Sequence, residues 1–312
     1  MENFAKPKVV LSKCINLEAT RYDGGIINND FAELLGKFVE YIPVCPEVGI
    51  GLPIPRDPII IVKNDPDKLI QPKTKVDLTD KMVTFSKEFL GNLKEVDGFL
   101  LKAKSPSCGV KDTNYYKDYE GKEPVGKTSG IFTRVVLETF KNYPVESEKR
   151  LIDRGIRDLF LTKIFSFADL RSLKENLTKA NLIEFHSRYK LMLTTYNQTN
   201  LRILGKIVSN LKENDLQDAY NKYSEIFKSS FNKKPKVSAH VNTLLHAFGY
   251  FKDKLGAKEK AHFLDVIEDF TKGNVDIYNP IELILGFAIR FEEEYLMKQR
   301  YFNPYPKELR RL

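Results

Sequence analysis

Long apolar runs are missing from these 312 residues. None approaches the roughly 18 residues that a membrane-spanning helix needs. The opening MENFAKPKVV has no apolar segment behind a basic start, so no secretory leader is expected and the expected location is the cytoplasm. Cysteine is scarce: Cys14, Cys45 and Cys108 are all there is. Three thiols cannot all pair, and a reducing compartment keeps them free, so disulfide stapling is not expected. Histidine is absent from residues 1–150, which weakens the case for a closed zinc site of Cys and His at short spacing in that half. Internal repeats, low-complexity tracts and Gly/Ser-rich linkers are also missing.

What is present reads as an ordinary globular chain, 42 % hydrophobic and 29 % charged, and long enough for two domains. The charge is unevenly spread. Residues 151–312 hold 27 Lys and Arg against 20 Asp and Glu, a net of +7 out of the total +8.

The first half alternates short apolar runs (Val9–Ser12, Tyr41–Val44, Ile59–Val62, Gly98–Leu101) with segments of helical spacing. Phe31, Leu34, Leu35 and Phe38 form one such segment, and Met82, Phe85, Phe89 and Leu93 behind Thr79 and Asp80 another. Strand and helix in alternation predict an α/β domain with a mainly parallel sheet over residues 1–165. After about residue 160 only helical spacing remains: Leu182, Phe185, Tyr189 and Met192; Leu204, Ile207, Val208 and Leu211; Val241, Leu244, Leu245 and Phe248. A last helix is expected from about Ile281 to Gln299, and residues 166–312 read as an all-α domain.

On that map each cysteine lies just past the carboxyl end of a strand, the edge where open parallel sheets bind ligands. Three thiols distant in sequence are then expected to converge. Convergent thiols are soft ligands suited to zinc or to an iron-sulfur cluster, and three of them can hold three irons of a 4Fe-4S cluster with the fourth left open. The competing reading is three small buried hydrophobes. Glu47, two residues after Cys45, is placed to move a proton; Lys104, Ser105 and Ser107 surround Cys108 with donors; Asp23-Gly24-Gly25 has the glycines of a loop that approaches a ligand.

Ser12-Lys13-Cys14, Arg21-Tyr22-Asp23-Gly24-Gly25, Val44-Cys45-Pro46-Glu47-Val48, Gly51-Leu52 with Pro55-Arg56, and Lys104-Ser105-Pro106-Ser107-Cys108-Gly109 together resemble the thiouracil desulfidase family over about residues 7–165. From about residue 180, Phe185-His186-Ser187-Arg188-Tyr189-Lys190-Leu191 and Asn303-Pro304-Tyr305-Pro306 resemble the helical domain often fused to it. Such fusions are similar to the desulfidases that remove sulfur from 4-thiouridine in tRNA. The resemblance implies a 4Fe-4S cluster held by Cys14, Cys45 and Cys108, Glu47 as acid/base, and Ser105 positioning the base or water. Ser12, Arg21, Asp23, Lys104 and Ser107 are its candidate substrate-binding residues. Lys111–Thr128 is longer than the short loop expected at that point.

Gly121-Lys-Glu-Pro-Val-Gly-Lys-Thr128 matches the phosphate-loop pattern letter for letter. A working phosphate loop follows a buried strand, and the polar Asp112–Glu120 does not read as one, so an NTPase is not expected. Lys127 and Thr128 keep a possible contact with an RNA phosphate. In the helical half the basic excess interleaved with Tyr and Phe points to nucleic acid. His186 and Lys190 share a helix face, as do Asn242 and His246, while Arg188 points elsewhere; Lys233-Lys234-Pro235-Lys236 is a basic loop. Candidate RNA contacts are His186, Arg188, Lys190, Lys233, Lys234 and Arg300, with tRNA the expected partner and no membrane or protein partner. The functional expectation is a cluster-dependent desulfidase of 4-thiouridine in tRNA. The alternatives are a desulfidase of free thiouracil-type bases or nucleosides, and a non-enzymatic cluster or RNA-binding protein.

Overall fold

Val9, Val10 and Leu11 are fully buried, as expected of a strand covered on both faces by helices. They belong to β1 (Lys8–Ser12) of the computed structural model, which describes residues 4–64, 67–213 and 215–310. In chain order the first half continues with α1 (Asp30–Gly36), β2 (Glu40–Val44), α2 (Pro46–Gly49), β3 (Ile60–Val62), β4 (Lys68–Gln71), β5 (Val76–Asp77) and α3 (Thr79–Gly91). Then come β6 (Gly98–Leu101), β7 (Thr113–Tyr116), β8 (Pro124–Thr128), α4 (Ile131–Thr139), β9 (Val145–Ser147) and α5 (Arg154–Glu175).

One sheet has the order β2-β1-β6-β9 and is parallel throughout. Its side chains alternate between two cores, as the two-residue period of a strand dictates. Val10, Phe99 and Leu101 pack with Met82, Leu90, Phe132 and Val136 of α3 and α4. Val9, Leu11 and Leu100 pack with Phe31, Leu35, Phe160 and Ile164 of α1 and α5. The α/β class with a mainly parallel sheet is therefore the observed one, with helices dominating the second half.

The Ile59–Val62 run lies outside that sheet. β3 belongs to a second sheet ordered β5-β4-β3-β7-β8, in which only the β3–β7 pair is parallel. The link from β3 to β4 is too short for a parallel crossover, so the chain turns back antiparallel. The polar segment after Asp112 forms a short strand, Thr113–Tyr116, of which only Thr113 is buried, so it is not the buried strand a phosphate loop follows. The phosphate-loop pattern ends in β8, the edge strand paired antiparallel with β7. Those amides belong to a hairpin rather than to a loop before a helix, and this hairpin accounts for the extra length of Lys111–Thr128.

The chain up to Ala168, with the segment from Tyr305 onward, forms one compact unit and Asp169–Pro304 a second. The second contains α6 (Lys179–Tyr196), α7 (Gln198–Ser209), α8 (Leu216–Ser229), α9 (Val237–Phe248), α10 (Ala257–Lys272), α11 (Tyr278–Arg290) and α12 (Glu294–Met297). Asn197 ends α6 and caps α7, its side chain accepting from the Asn200 N–H at 3.0 Å. Phe185, Tyr189, Tyr223, Phe227 and Phe231 form a buried aromatic core. The expected helix from Ile281 to Gln299 is broken: α11 stops at Arg290, Glu292 turns through φ +54°, and α12 restarts at Glu294. Three consecutive carboxylates at 292–294 are unfavourable at a helix C-terminus and favourable at the next N-terminus, so the break falls among them. Among the described residues no helix is long and apolar enough to cross a membrane.

Candidate functional site

The carboxyl edge of the parallel sheet opens into a cavity of about 400 Å³. β1 has β2 on one side and β6 on the other, so the chain reverses its winding at β1, where such sheets bind ligands. The lining includes Ser12 at the end of β1 with Lys13 and Cys14 after it, Cys45 and Glu47 after β2, and Lys102, Lys104, Ser105 and Cys108 after β6. The three cysteines are free thiols on one cavity wall. Burial pushes the Cys14 thiol up to about 12, and the neighbouring Cys45 adds to the rise while the Lys102 ammonium opposes it. Burial also pushes Cys108 well above the ordinary thiol range, with Cys14 and Cys45 adding to it and a hydrogen bond with Ser12 opposing. Cys108 thus feels both other thiols and Cys14 feels Cys45, as expected of convergent strand ends.

The Cys108 loop is gripped by the start of α4. A helix N-terminus has unpaired amides, and here they are spent on this loop: Gly130 N–H donates to Gly109 O at 2.9 Å, Ile131 N–H to Pro106 O at 3.0 Å and Thr133 N–H to Ser107 O at 3.3 Å. The Thr133 hydroxyl adds a bond to Cys108 O at 2.7 Å. Two glycines allow the approach. A Cβ on Gly130 would lie 2.3 Å from Ser107 O, and one on Gly109 would lie 1.9 Å from Thr113 Oγ1 and 2.9 Å from Ser105 O.

Glu47 lies at the start of α2, directly behind Cys45. Its Oε2 accepts from Arg56 Nε at 2.7 Å, and its Oε1 accepts from Ser107 Oγ at 2.9 Å and Ser105 Oγ at 3.4 Å. Arg56 is itself buried and also donates to Thr20 O at 2.9 Å. One carboxylate oxygen is thereby tied to a fixed cation and the other faces two hydroxyls. Ser105 Oγ also accepts from the amides of Ser107 at 3.2 Å and Cys108 at 3.1 Å. Such a group can exchange a proton with a water or ligand held in the cavity.

Of the residues singled out in the sequence, Ser12, Arg21, Cys14, Cys45, Glu47, Lys104, Ser105 and Cys108 line the cavity. Asp23 and Ser107 are not on its wall: Asp23 pairs with Arg21 at 3.0 Å, and Ser107 is fully buried beneath Glu47. The sequence reading quoted Arg56 within a motif without giving it a role, and passed over Thr20 and Lys102 on the wall and Glu148 behind it. Glu148 is buried, accepts from the Ala103 amide at 2.7 Å and stands 3.6 Å from Lys102 Nζ, which also bonds Ala103 O. A lysine ending a fully apolar run was the available signal for Lys102. Among the described residues no group of three or more His, Cys, Asp or Glu is arranged to hold a single metal ion.

In the helical unit the candidate RNA contacts separate into two sets. Lys190, Lys233 and Lys234 are exposed. His186 faces Tyr223 OH at 3.1 Å, and burial first, Lys190 second, pushes its pKa down to about 4. Arg300 is 5 % exposed and donates to Asp169 at 2.8 Å, with Arg188 3.8 Å from the same carboxylate. These two arginines are engaged inside the unit.

The 2-thiouracil desulfurase family matches residues 9–148, and a family described as a protein of unknown function (DUF1722) matches residues 190–306. The chain is 30 % identical over 152 residues to the uncharacterised protein YbgA of Escherichia coli, covering 48 % of this chain and 90 % of that one. It is 26 % identical over 153 residues to the uncharacterised protein YbbK of Bacillus subtilis, covering 46 % and 98 %. A solved structure of the 4Fe-4S-dependent thiouracil desulfidase TudS is similar at 27 % identity and a TM-score of 0.38, covering 47 % of this chain and 95 % of that one. The match over residues 9–148, which span the cavity, supports an enzyme that removes sulfur and takes a thiolated base.

Proposed function

We propose, for a chain that belongs to the same family as Escherichia coli YbgA, a 4Fe-4S-dependent desulfidase that converts 4-thiouridine in tRNA to uridine and sulfide. The observation that carries this reading is the convergence of three free thiols and the Glu47 carboxylate on one cavity at the carboxyl edge of the sheet.

The donor set fits an iron-sulfur cluster. Thiols are soft ligands, and the first 185 residues offer no histidine. Cys14, Cys45 and Cys108 would hold the cluster. When bound, it supplies a Lewis-acidic iron with an open position for a soft sulfur. Cys14 and Cys108 are protonated thiols in the cluster-free protein, so loading must release their protons.

The chain's own residues do the rest. The reaction balances as thiocarbonyl plus water to carbonyl plus hydrogen sulfide, with no change of oxidation state. Glu47 Oε1 accepts a proton from the attacking water, while Arg56 holds Oε2 and fixes the plane of the carboxylate. Ser105, within reach of that oxygen, orients the water or the base. Lys13, Arg21 and Lys104 on the wall attract a phosphate-bearing substrate. In the helical unit, exposed Lys190, Lys233 and Lys234 grip tRNA backbone, and the thiolated base reaches the cavity by extrusion from the folded RNA.

The matched family description names 2-thiouracil, and this favours a second reading in which the substrate is a free base. Glu47→Ala tests the catalytic assignment. The variant keeps its iron-sulfur absorbance after anaerobic reconstitution and loses sulfide release by at least about a hundredfold; full activity in that variant removes Glu47 from the reaction.

A further inference from the structure

The cavity has a rim that the desulfurisation step does not use. Cys14 and Cys108 at its inner end are 9 % and 4 % exposed, whereas Tyr22, on the same wall, is 46 % exposed. The backbone under that ring is fixed. Arg56 N–H donates to Tyr22 O at 2.8 Å, Gly24 N–H to Arg21 O at 2.9 Å, and Gly25 N–H to Asp23 Oδ1 at 3.0 Å. Gly24 has φ +76°, which supplies the turn, and a Cβ there would lie 3.9 Å from Ile54, itself 42 % exposed. The Arg21 guanidinium, tied to Asp23, lies 5.9 Å from the ring centroid. An aromatic presented from a fixed loop loses little freedom when something covers it.

Charge points to what covers it. Lys13, Arg21, Arg56, Lys102 and Lys104 line the cavity; Arg56 pairs with Glu47 on the wall, while Lys13, Arg21 and Lys102 pair with Glu18, Asp23 and Glu148, whose carboxylates are not on it, so the wall itself presents mainly cations. Cations beside an exposed aromatic make the combination that binds single-stranded nucleic acid, with phosphates on the charges and a base on the ring. A free base seated near the thiols would leave the ring at the mouth uncovered. The next nucleotide of a chain would cover it.

We propose that Tyr22 is the stacking platform for the nucleobase adjacent to the thiolated one, so that the desulfidase unit itself distinguishes a polynucleotide from a free base. This rests on the reading of the cavity as a thiolated-base site.

The test uses the full, reconstituted chain under anaerobic conditions with two ligands that carry no sulfur, uridine monophosphate and a uridine trinucleotide, titrated by calorimetry. Wild type binds the trinucleotide about tenfold more tightly than the mononucleotide, or better. Tyr22→Ala removes that preference without changing mononucleotide affinity or the unfolding temperature, and Tyr22→Phe retains it. A Tyr22→Ala protein that binds the trinucleotide as wild type does overturns the proposal. So does a wild type with no preference or no trinucleotide binding, or an equal loss for both ligands. Sulfide release from a thiolated oligonucleotide is read separately. Wild type that stacks the trinucleotide but releases no sulfide defeats the desulfidase reading and leaves Tyr22 in place; release of sulfide with an indifferent Tyr22→Ala does the reverse.

Discussion

Replacing Gly130 by alanine adds one methyl group, and its expected effect follows from three distances. Gly130 has φ −61° and ψ 156°, a conformation alanine adopts without strain, so no backbone penalty is expected. The added Cβ would instead lie 2.3 Å from Ser107 O, 2.4 Å from Ser107 C and 2.8 Å from Cys108 N. All three are backbone atoms of the loop that carries Cys108, and no side chain can swing aside. Either α4 withdraws from the loop or the loop shifts, and both give up the amide bonds from residues 130, 131 and 133. Overpacking of this kind costs about 3 kcal/mol. For a unit of this size that lowers the unfolding temperature by roughly 6–12 °C. The assay is calorimetric unfolding together with iron content after reconstitution. Gly91→Ala, where nothing lies within 4 Å of the added methyl, is the control and leaves both unchanged. Gly130→Ala protein that melts within a degree of wild type and loads a full complement of iron would show that the α4 start does not hold the Cys108 loop.

Arg56→Leu leaves Glu47 without its buried cation and is expected to cost about 3–5 kcal/mol and most of the sulfide release, measured by denaturant unfolding and activity; Arg56→Lys, which cannot reproduce the bonds to both Glu47 and Thr20 O, recovers little. His240, bonded to Tyr301 OH at 3.0 Å, has its pKa pushed down to about 4 by burial first and Lys234 second. A depressed pKa contributes stability above the ordinary value near 6.5 that is lost as the pH falls toward 4, a loss of about 3 kcal/mol once the group is fully protonated. His240→Gln flattens that part of the stability profile, and an unchanged profile contradicts it. In cluster-free protein at pH 8, Cys14, pushed up to about 12, reacts with iodoacetamide at least about a hundredfold more slowly than free cysteine; peptide mapping that finds it rapidly alkylated contradicts the burial argument.

The cysteines were legible because each follows a short apolar run and strand ends converge by topology alone. Glu47 was legible from its neighbour Cys45 and the family resemblance. Its partners were less so. Arg56 reaches Glu47 across nine residues with no periodicity to signal the contact, and Glu148 meets Ala103 forty-five residues away, after a strand of only three residues that no pattern announced. The β7–β8 hairpin escaped because its strands are short, mostly polar and only partly buried, so the alternation that marks half-buried strands is weak there. Arg188 and Arg300 counted as basic charge in composition, and only the fold places them both at Asp169.

On the proposed reading, the three-thiol cavity removes sulfur from a thiolated base in RNA. This is tested most directly by reconstituting the chain anaerobically with iron and sulfide, adding tRNA that carries 4-thiouridine, and following the thiocarbonyl absorbance together with released sulfide. The expected result is loss of the absorbance with one sulfide per base converted, and no loss when Cys108 is replaced by serine. A fully loaded cluster that leaves the absorbance unchanged would contradict it.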